Sequence, residues 1–400
     1  MRTAPSRRLR PGMLLAAGIV LVAVNLRPFA ASVGPLIGRI EHDTGLSSAG
    51  AGLLATVPVL CFGALAPLGS SLARRIGVQG ALAVSLATLL VGLLWRLVPG
   101  TGFLFAGTVL ASAAMAIGNV LLPVLVRSRF PGRVGTMTAI YSTALIAFSA
   151  LPAAISVPVA DALGGGWRPG LAIWALPTLI GLVAWLPALR GARPDGGGRA
   201  PSSLRHAAAL LRSRVAVALT LFFALQSAGF YATLSWLPSI FESHGASAAQ
   251  GGLLLGVCIA LGLVMTLTVP GLATRYPDQR LLVAVFTATA AVGWLGVLVA
   301  PMAAPYLWVV VLGIGQNACF PLLLTMIVMR GANVEATAAL STFVQTIGYL
   351  LAAGAPVGLG ALHGLAGSWT PAVVVLLALT PLQLLAGVMA GVNRRVSLPE

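Results

Sequence analysis

One arginine lies in a stretch of sequence that offers it no charged partner. Arg27 is part of residues 22–30, VAVNLRPFA, and no other charge occurs between residues 12 and 37. If a membrane helix starts near residue 12, Arg27 lies about 22 Å along it at 1.5 Å per residue, past the middle of a ~30 Å hydrocarbon core. A guanidinium at the bilayer centre costs roughly 2.5–3.5 kcal/mol on insertion scales, so a partner or a function must offset that cost.

Three roles for Arg27 follow from this position. It could bind a polar or anionic substrate in a cavity, or it could be a structural arginine held by carbonyls that Pro28 frees. It could also extend its side chain outward to the membrane surface. We predict the first role.

Other polar side chains at mid-span depth complete the predicted substrate-binding set. Asn25 lies about 200° around an ideal helix from Arg27, so both face one cavity only if Pro28 distorts the turn. A helix-packing hydrogen bond is the equal alternative for Asn25, and interhelical hydrogen bonding, worth about 0.6 kcal/mol, is the alternative for the other amides. In a later apolar stretch Gln345 shares one helix face with Thr342 and Tyr349 through i, i+3, i+7 spacing. The predicted substrate-binding residues are Arg27, Asn25, Asn119, Tyr141, Gln226, Asn317 and Gln345.

Several kinds of chemistry lack the residues that they need. No Asp or Glu falls at mid-membrane depth, although proton-coupled drug antiporters usually carry such a carboxylate as a relay. The motifs G-x-S-x-G, H-E-x-x-H and the P-loop do not occur, so we predict no enzyme activity, no cofactor and no direct use of ATP. Cys61, Cys258 and Cys319 lie in apolar stretches without C-x-x-C spacing, which predicts small buried thiols and no metal site.

Composition places the chain in a membrane. Of its 400 residues 58% are hydrophobic and only 8% are charged, and the mean hydropathy is +0.98. Soluble proteins carry about 25% charged residues, so this chain cannot cover a water-facing surface. A spanning helix needs about 20 apolar residues. Twelve such stretches, here called spans 1–12, are predicted at residues 13–36, 49–72, 78–98, 101–126, 134–160, 169–189, 215–241, 247–273, 281–300, 303–329, 335–362 and 369–392.

The positive charge indicates topology, because the basic residues fall between the spans. The formal net charge is +16, and all 24 basic residues are arginine. Numbered alternately, the loops of one side receive nearly all of them, whereas the other side receives Arg39, Arg96 and Arg168. By the positive-inside rule both termini are predicted to be cytoplasmic. The charge is therefore no indication of nucleic-acid binding.

The two halves of the chain resemble each other at an offset of about 200 residues. The N-x-x-x-P pattern of Asn119 and Pro123 returns at Asn317 and Pro321. The pair Leu53-Leu54 after SSAGAG returns at residues 253–254 after SAAQGG. Such parallel repeats predict a duplicated six-helix unit. The Gly-, Pro- and Arg-rich residues 190–214 are predicted to link the two units.

The loop between spans 2 and 3 resembles a signature of the major facilitator superfamily. Its sequence GSSLARRIGVQGAL follows the pattern G-x-L-a-D-r-x-G at Gly69, Leu72, Arg75 and Gly77, but Arg74 occupies the acidic position. This resemblance implies a gating loop formed by Gly69, Arg74, Arg75 and Gly77. The missing acid argues against the charge relay usually assigned to it.

Residues 25–77 resemble more closely the cyanate and 2-nitroimidazole transporter group of that superfamily. The N-L-R-P sequence of span 1 and the L-x-x-x-P-V-L-C-F-G sequence of span 2, residues 54–63, carry this resemblance. It implies a substrate of the cyanate or nitroimidazole kind. In the superfamily spans 1, 4, 7 and 10 line the cavity, which favours Asn119 and Asn317 as lining residues.

These observations predict an all-α membrane protein whose twelve transmembrane helices form two six-helix bundles related by pseudo-two-fold symmetry, the major facilitator fold. The predicted units are residues 1–189 and 215–400, joined by the linker 190–214. The predicted function is secondary or facilitative transport of a small polar or anionic solute by alternating access. The alternative is efflux of a neutral drug-like compound, and a receptor role is disfavoured because no soluble domain is present.

The predicted partners are a small-molecule substrate and membrane lipid, with no nucleic acid, and the protein is predicted to be a monomer. The predicted location is the plasma membrane. Whether a proton is co-transported or counter-transported is left open by the sequence.

Overall fold

The helices of the protein match the predicted spans in number. The computed structural model describes residues 11–191 and 209–397, and these ranges contain twelve helical segments long and apolar enough to cross a membrane. The all-helical prediction is therefore confirmed. The helices that form spans 1–12 are Pro11–Asn25, Pro28–Ala31 and Ile37–Thr44 (span 1), Ser48–Trp95 (spans 2 and 3), Thr101–Arg129 (4), Val134–Ala162 (5), Trp167–Ala172 and Ala175–Trp185 (6), Arg214–Glu242 (7), Ala248–Ala273 (8), Arg280–Val299 (9), Pro305–Arg330 (10), Val334–Ala352 and Gly354–Ala366 (11) and Thr370–Ala390 (12).

Three spans are broken and one helix joins two spans. Span 1 is interrupted at residues 26–27, span 6 at residues 173–174 and span 11 at residue 353. The breaks in spans 1 and 11 lie next to or near a proline. The helix Ser48–Trp95 turns at Gly77, whose backbone (φ +76°, ψ 159°) is not helical. Span 1 also continues to Thr44, eight residues beyond its predicted end. Boundaries of this kind depend on capping and packing and are the least predictable part of a helix.

The spans pack as two bundles, spans 1–6 and spans 7–12. Between the bundles span 2 contacts span 11, span 5 contacts span 8, and span 1 contacts span 7. Replacing each span by its counterpart in the other bundle, six spans away, turns the contact between spans 2 and 11 into the contact between spans 8 and 5. The interface therefore has the pseudo-two-fold relation that the repeated sequence predicted.

Glycines on both sides of this interface allow the closest approaches. A Cβ on Gly52 of span 2 would lie 2.6 Å from the carbonyl oxygen of Pro356, and a Cβ on Gly252 of span 8 would lie 2.6 Å from that of Ala153. The Thr56 hydroxyl also donates to the Ala353 carbonyl at 3.0 Å. We call the two membrane faces the terminal side, where span 1 begins and span 12 ends, and the far side. These approaches lie in the far half of the spans and form what we call the far seal.

The internal repeat is also visible in side-chain contacts that the sequence comparison did not include. Arg129, at the end of span 4, donates to the Oε1 of Gln79 at 3.3 Å. Arg330, at the end of span 10, donates to the Oε1 of Gln279. The two pairs are offset by about 200 residues, as the other repeated positions are.

The far rim carries two ion pairs within the first bundle. Arg39 pairs with Asp161 at 2.7 Å and Arg168 pairs with Asp43 at 2.9 Å. Asp43 also accepts from the Trp167 indole at 2.8 Å. Of the predicted linker 190–214, residues 192–208 lie outside the described ranges, so the unit boundaries remain a prediction.

Candidate substrate site at the break in span 1

The break in span 1 places Arg27 at the start of a new short helix. Arg27 is the N-cap residue of Pro28–Ala31, with φ −107° and ψ −28°, and its carbonyl accepts from the amides of Ala30 and Ala31 at 3.2 Å each. Pro28 has no N–H to donate to the preceding turn, and its ring excludes the regular helical contact there. The sequence Leu26-Arg27-Pro28 therefore interrupts the helix inside the membrane.

The Arg27 guanidinium has unused hydrogen-bonding capacity. The residue is half-buried, and its Nε is buried without a hydrogen-bond partner. The ion pairs found among the described residues are at the far rim and at Arg280–Asp278, so none of them neutralises Arg27. Two and three residues after it, Phe29 and Ala30 line a small cavity together with Tyr231 of the second bundle. Arg27 therefore lies near the interface between the bundles.

Aromatic rings from both bundles meet beside Arg27. Phe62 of span 2 stacks on Tyr349 of span 11 with ring centroids 5.3 Å apart and planes at 21°. Phe223 meets Tyr349 edge-on at 4.8 Å, and Tyr231 lies 6.3 Å from it. Such contacts add about 0.5–1.5 kcal/mol each beyond burial. We call Phe62, Phe223, Tyr231 and Tyr349 the aromatic cluster.

Access to this region is limited by the far seal. Gly52, Thr56 and Gly252 hold the bundles together between the far side and the aromatic cluster. Arg27 and Gln345 nevertheless remain partly exposed.

Asn25 does not join Arg27 in a common cavity. Its amide donates to the carbonyls of Leu21 at 2.7 Å and Pro177 at 3.1 Å, and its Oδ1 accepts from the Thr178 hydroxyl at 3.0 Å. Only 2% of the residue is exposed. The prediction that Asn25 lines the site is therefore corrected: it holds span 1 against span 6, because the break does not turn it toward Arg27.

Asn317 is also used in packing. Its amide donates to the carbonyls of Cys258 in span 8 at 2.9 Å and of Gly313 in its own helix at 2.8 Å. Its sequence counterpart Asn119 donates only to the Met115 carbonyl in its own helix, at 2.9 Å, and is half-buried. Both repeated asparagines are half-buried, but they differ in their partners, because Asn317 bonds to span 8 whereas Asn119 bonds within its own helix.

The other predicted side chains divide between core and cleft. Tyr141 packs in the core of the first bundle and Gln226 lies in the second bundle, where the Ser227 hydroxyl donates to it at 3.3 Å. They are 8% and 2% exposed. Gln345 is half-buried, one helical turn before Tyr349, and donates to the Ser341 hydroxyl at 2.8 Å. Arg27, Asn119, Asn317 and Gln345 are thus the predicted polar residues that remain partly exposed.

The predicted gating loop turns at Gly77. Gly69 is buried against Ile117 and Val120 of span 4, where a Cβ would lie 3.4–3.6 Å from them. Arg74 and Arg75 are exposed, and neither takes part in the ion pairs found in the described ranges. Its role in gating remains a prediction.

Two arginines assigned to loops are buried. Arg96 is 0% exposed and donates to the Phe29 carbonyl, just after the break, at 3.0 Å, while its Nε and Nη2 lack partners. Arg330 is 1% exposed. The burial of Arg96 could have been predicted from the sequence, because it is the only charged residue between residues 76 and 126. Assigning each arginine to a loop does not reveal that the side chain of such a residue is buried in its own bundle.

Comparison with known proteins agrees with this architecture. The model of the Major Facilitator Superfamily matches residues 13–356. The chain belongs to this superfamily. It is a multi-pass membrane transporter and not an enzyme.

Similar chains support the narrower resemblance as well. The 2-nitroimidazole transporter of Escherichia coli (strain K12) is 34% identical over 384 residues, 96% of this chain and 97% of that protein. The cyanate transport protein CynX of the same organism is 30% identical, covering 88% and 90% of the two chains. An uncharacterized transporter, YycB of Bacillus subtilis (strain 168), is 36% identical over 96% of this chain and 95% of that one.

Solved structures share the fold at low sequence identity. A bacterial homolog of the human lysosomal transporter Spinster, in an inward-facing and unoccupied conformation, superposes with a TM-score of 0.76 at 14% identity, covering 98% of this chain and 100% of that one. A D-xylose-proton symporter superposes with a TM-score of 0.72 at 15% identity, covering 96% and 99%. These likenesses concern the fold alone.

Proposed function

We propose that the protein carries a small polar or anionic solute, of the cyanate or nitroimidazole kind, across the membrane by alternating access around Arg27. The observation that carries this proposal is the half-buried arginine at the helix break, whose buried Nε has no hydrogen-bond partner. Leaving such a donor unpaired is costly, and a substrate acceptor would offset that cost. The names of the relatives point to the same two classes of solute.

The aromatic cluster favours a planar solute. A guanidinium presents a flat fork of donors that suits two acceptor oxygens held in one plane, as in a nitro or carboxylate group. The rings of Phe62 and Tyr349 beside it suit a flat ring. A neutral nitroimidazole would use Arg27 as a hydrogen-bond donor, and this is the form in which the neutral-solute alternative is retained.

The setting of transport is part of the proposal. We infer that the units 1–189 and 215–400 rock against each other in the plasma membrane, with both termini in the cytoplasm. The far seal and the internal repeat support two bodies that close alternately around one site. The protein works as a monomer, surrounded by lipid and without nucleic acid.

The test is uptake by proteoliposomes of wild type, Arg27→Lys and Arg27→Gln, with cyanate and with 2-nitroimidazole. A charged hydrogen bond contributes about 1.5–3 kcal/mol, so losing it weakens substrate binding about 10- to 150-fold. Arg27→Gln should abolish cyanate uptake and spare part of the nitroimidazole uptake. Arg27→Lys should retain an electrostatic contact and impair a bidentate one. Repeating each assay with and without a pH gradient measures proton coupling.

Arg275→Gln is the matched control, because Arg275 is an exposed arginine away from the site. It should leave uptake unchanged. Substrate affinity and melting temperature are measured on the same purified variants. Normal affinity with a lowered melting temperature in Arg27→Gln would assign Arg27 to structure and overturn the proposal.

A further inference from the structure

The second bundle contains a cavity separate from the Arg27 site. It measures about 310 Å³ and is lined by residues of spans 7, 9, 10, 11 and 12. Neither Arg27 nor a member of the aromatic cluster lines it. Ligand pockets measure roughly 300–1,000 Å³, so this one suits a small molecule.

The cavity opens on the outer surface of the bundle, between spans 11 and 12. On the helix Gly354–Ala366, Pro356 and Gly360 face the far seal and the Trp236 ring. Gly354 and Gly358 lie on the opposite face, line the cavity and are exposed, as is Val375 of span 12. These positions are well inside the spans, where the exterior of a membrane protein meets lipid. The mouth of the cavity therefore faces the bilayer.

The floor of the cavity is polar. Thr287 is 2% exposed, and its hydroxyl has no hydrogen-bond partner. The Cys319 thiol, which lies near it, is only a weak hydrogen-bonding group. Gln316 is 5% exposed and uses its Nε2 on the Gln226 carbonyl at 2.8 Å. Gln383 has only a 3.9 Å contact to the Cys319 sulfur. A buried hydroxyl without a partner costs about 1–3 kcal/mol, and a ligand atom would remove that cost.

The lining decides the class of ligand. Its walls are apolar or small residues such as Ala290, Trp294, Leu359 and Leu376, and no charged residue is among the lining residues. An ion would lose its hydration without a counter-charge. A lipid acyl chain would leave the Thr287 hydroxyl unpaired. We propose that this cavity binds a small neutral amphiphile, with one hydroxyl-like or carbonyl-like group and an apolar body, which enters from the bilayer.

The test uses 3-azioctanol, an eight-carbon alcohol with a photoreactive diazirine, and the full-length protein in lipid nanodiscs. Mass spectrometry should find saturable labelling of the lining residues Trp294, Leu359 and Leu376, displaced by octanol. Gly358→Leu fills the mouth, and a Cβ at Gly358 meets nothing within 4 Å, so the variant should fold. We expect its labelling to fall at least 10-fold. Gly364→Leu is the matched control, equally free of neighbours on the same helix but outside the lining, and it should label as wild type.

A second variant tests the polar floor. Thr287→Val removes the hydroxyl at nearly constant shape and should raise the half-saturating probe concentration about 2- to 10-fold without lowering the melting temperature. Equal labelling in Gly358→Leu and Gly364→Leu, failure of octanol to compete, or spread of label to exposed Leu281 and Val299 would overturn the proposal. Arg27→Gln should label normally, so this test is independent of the substrate site.

Discussion

At the scale of single residues, Arg330 and Arg129 occupy equivalent positions in the two bundles but differ in burial. Arg330 donates to the Gln279 side chain and to the carbonyls of Ala390 and Gly391, so it joins the ends of spans 9, 10 and 12. Arg129 is exposed and makes one 3.3 Å bond to Gln79. The last carbonyls of span 12 have no following helical turn whose N–H groups could bond them. A cation at this carboxyl end of a helix is stabilising.

Arg330→Met should therefore destabilise the protein by about 2–4 kcal/mol, because it leaves the Gln279 Oε1 and the Ala390 carbonyl without their donor. Arg129→Met should change stability by less than about 1 kcal/mol, as for most exposed polar contacts. Thermal unfolding of both variants in one detergent measures the difference. Equal effects of the two substitutions would contradict this account of Arg330.

At the scale of helices, the turn between spans 2 and 3 depends on one backbone conformation. Gly77 has φ +76° and ψ 159°, a region that side-chain-bearing residues occupy at a cost of about 1–3 kcal/mol. The glycine of the superfamily signature thus has a local physical reason, since it lets the chain reverse while spans 2 and 3 stay helical on either side.

Gly77→Ala should lower the melting temperature by an amount that corresponds to about 1–3 kcal/mol. Gly80→Ala is the control, because Gly80 is helical and a Cβ there meets only Ile76 at 3.4 Å or more. That substitution should be neutral or stabilise by up to about 1 kcal/mol. A Gly77→Ala protein as stable as Gly80→Ala would show that the turn tolerates another conformation.

At the scale of the whole molecule, the far seal holds the two bundles together on the far side. A Cβ added to Gly52 or to Gly252 would lie 2.6 Å from a backbone oxygen of the other bundle. Backbone cannot yield as a flexible side chain does, so the bundles must separate there. Gly52→Ala and Gly252→Ala should both shift the population toward opening on the far side.

Spin labels at Leu163→Cys and Leu365→Cys, both exposed near the far ends of their bundles, report that opening as a longer distance. Gly364→Ala, where a Cβ meets nothing within 4 Å, should leave the distance distribution unchanged. If either seal variant keeps the wild-type distribution, the glycines are not what holds the far side closed.

The orientation of the whole molecule can be tested through the linker. The arginine bias predicts that a cysteine placed at residues 195–205 is labelled only from the cytoplasmic face. These residues lie outside the described ranges, so the prediction rests on charge alone. Labelling by an impermeant reagent added outside intact cells would reverse the orientation.

Much of the architecture was determined by the sequence alone. Each span must form all its backbone hydrogen bonds within its own helix and must present apolar side chains to lipid. About 20 residues therefore carry the information for one helix. This is why twelve spans, the duplicated unit and the superfamily were predicted without knowing any contact. Arg27 was also found this way, because its anomaly is local: a charge within an apolar stretch and beside a proline.

The use of each polar side chain was decided only by the tertiary structure. Asn25 accepts a hydrogen bond from the Thr178 hydroxyl, 153 residues away, and Asn317 donates one to the Cys258 carbonyl, 59 residues away. Arg96, which the sequence analysis assigned to a loop, donates a hydrogen bond to the Phe29 carbonyl, 67 residues away in the sequence. Whether a buried amide or guanidinium binds a neighbouring helix or faces a cleft depends on which atoms lie within 3 Å of it, and the packing of distant spans sets that distance.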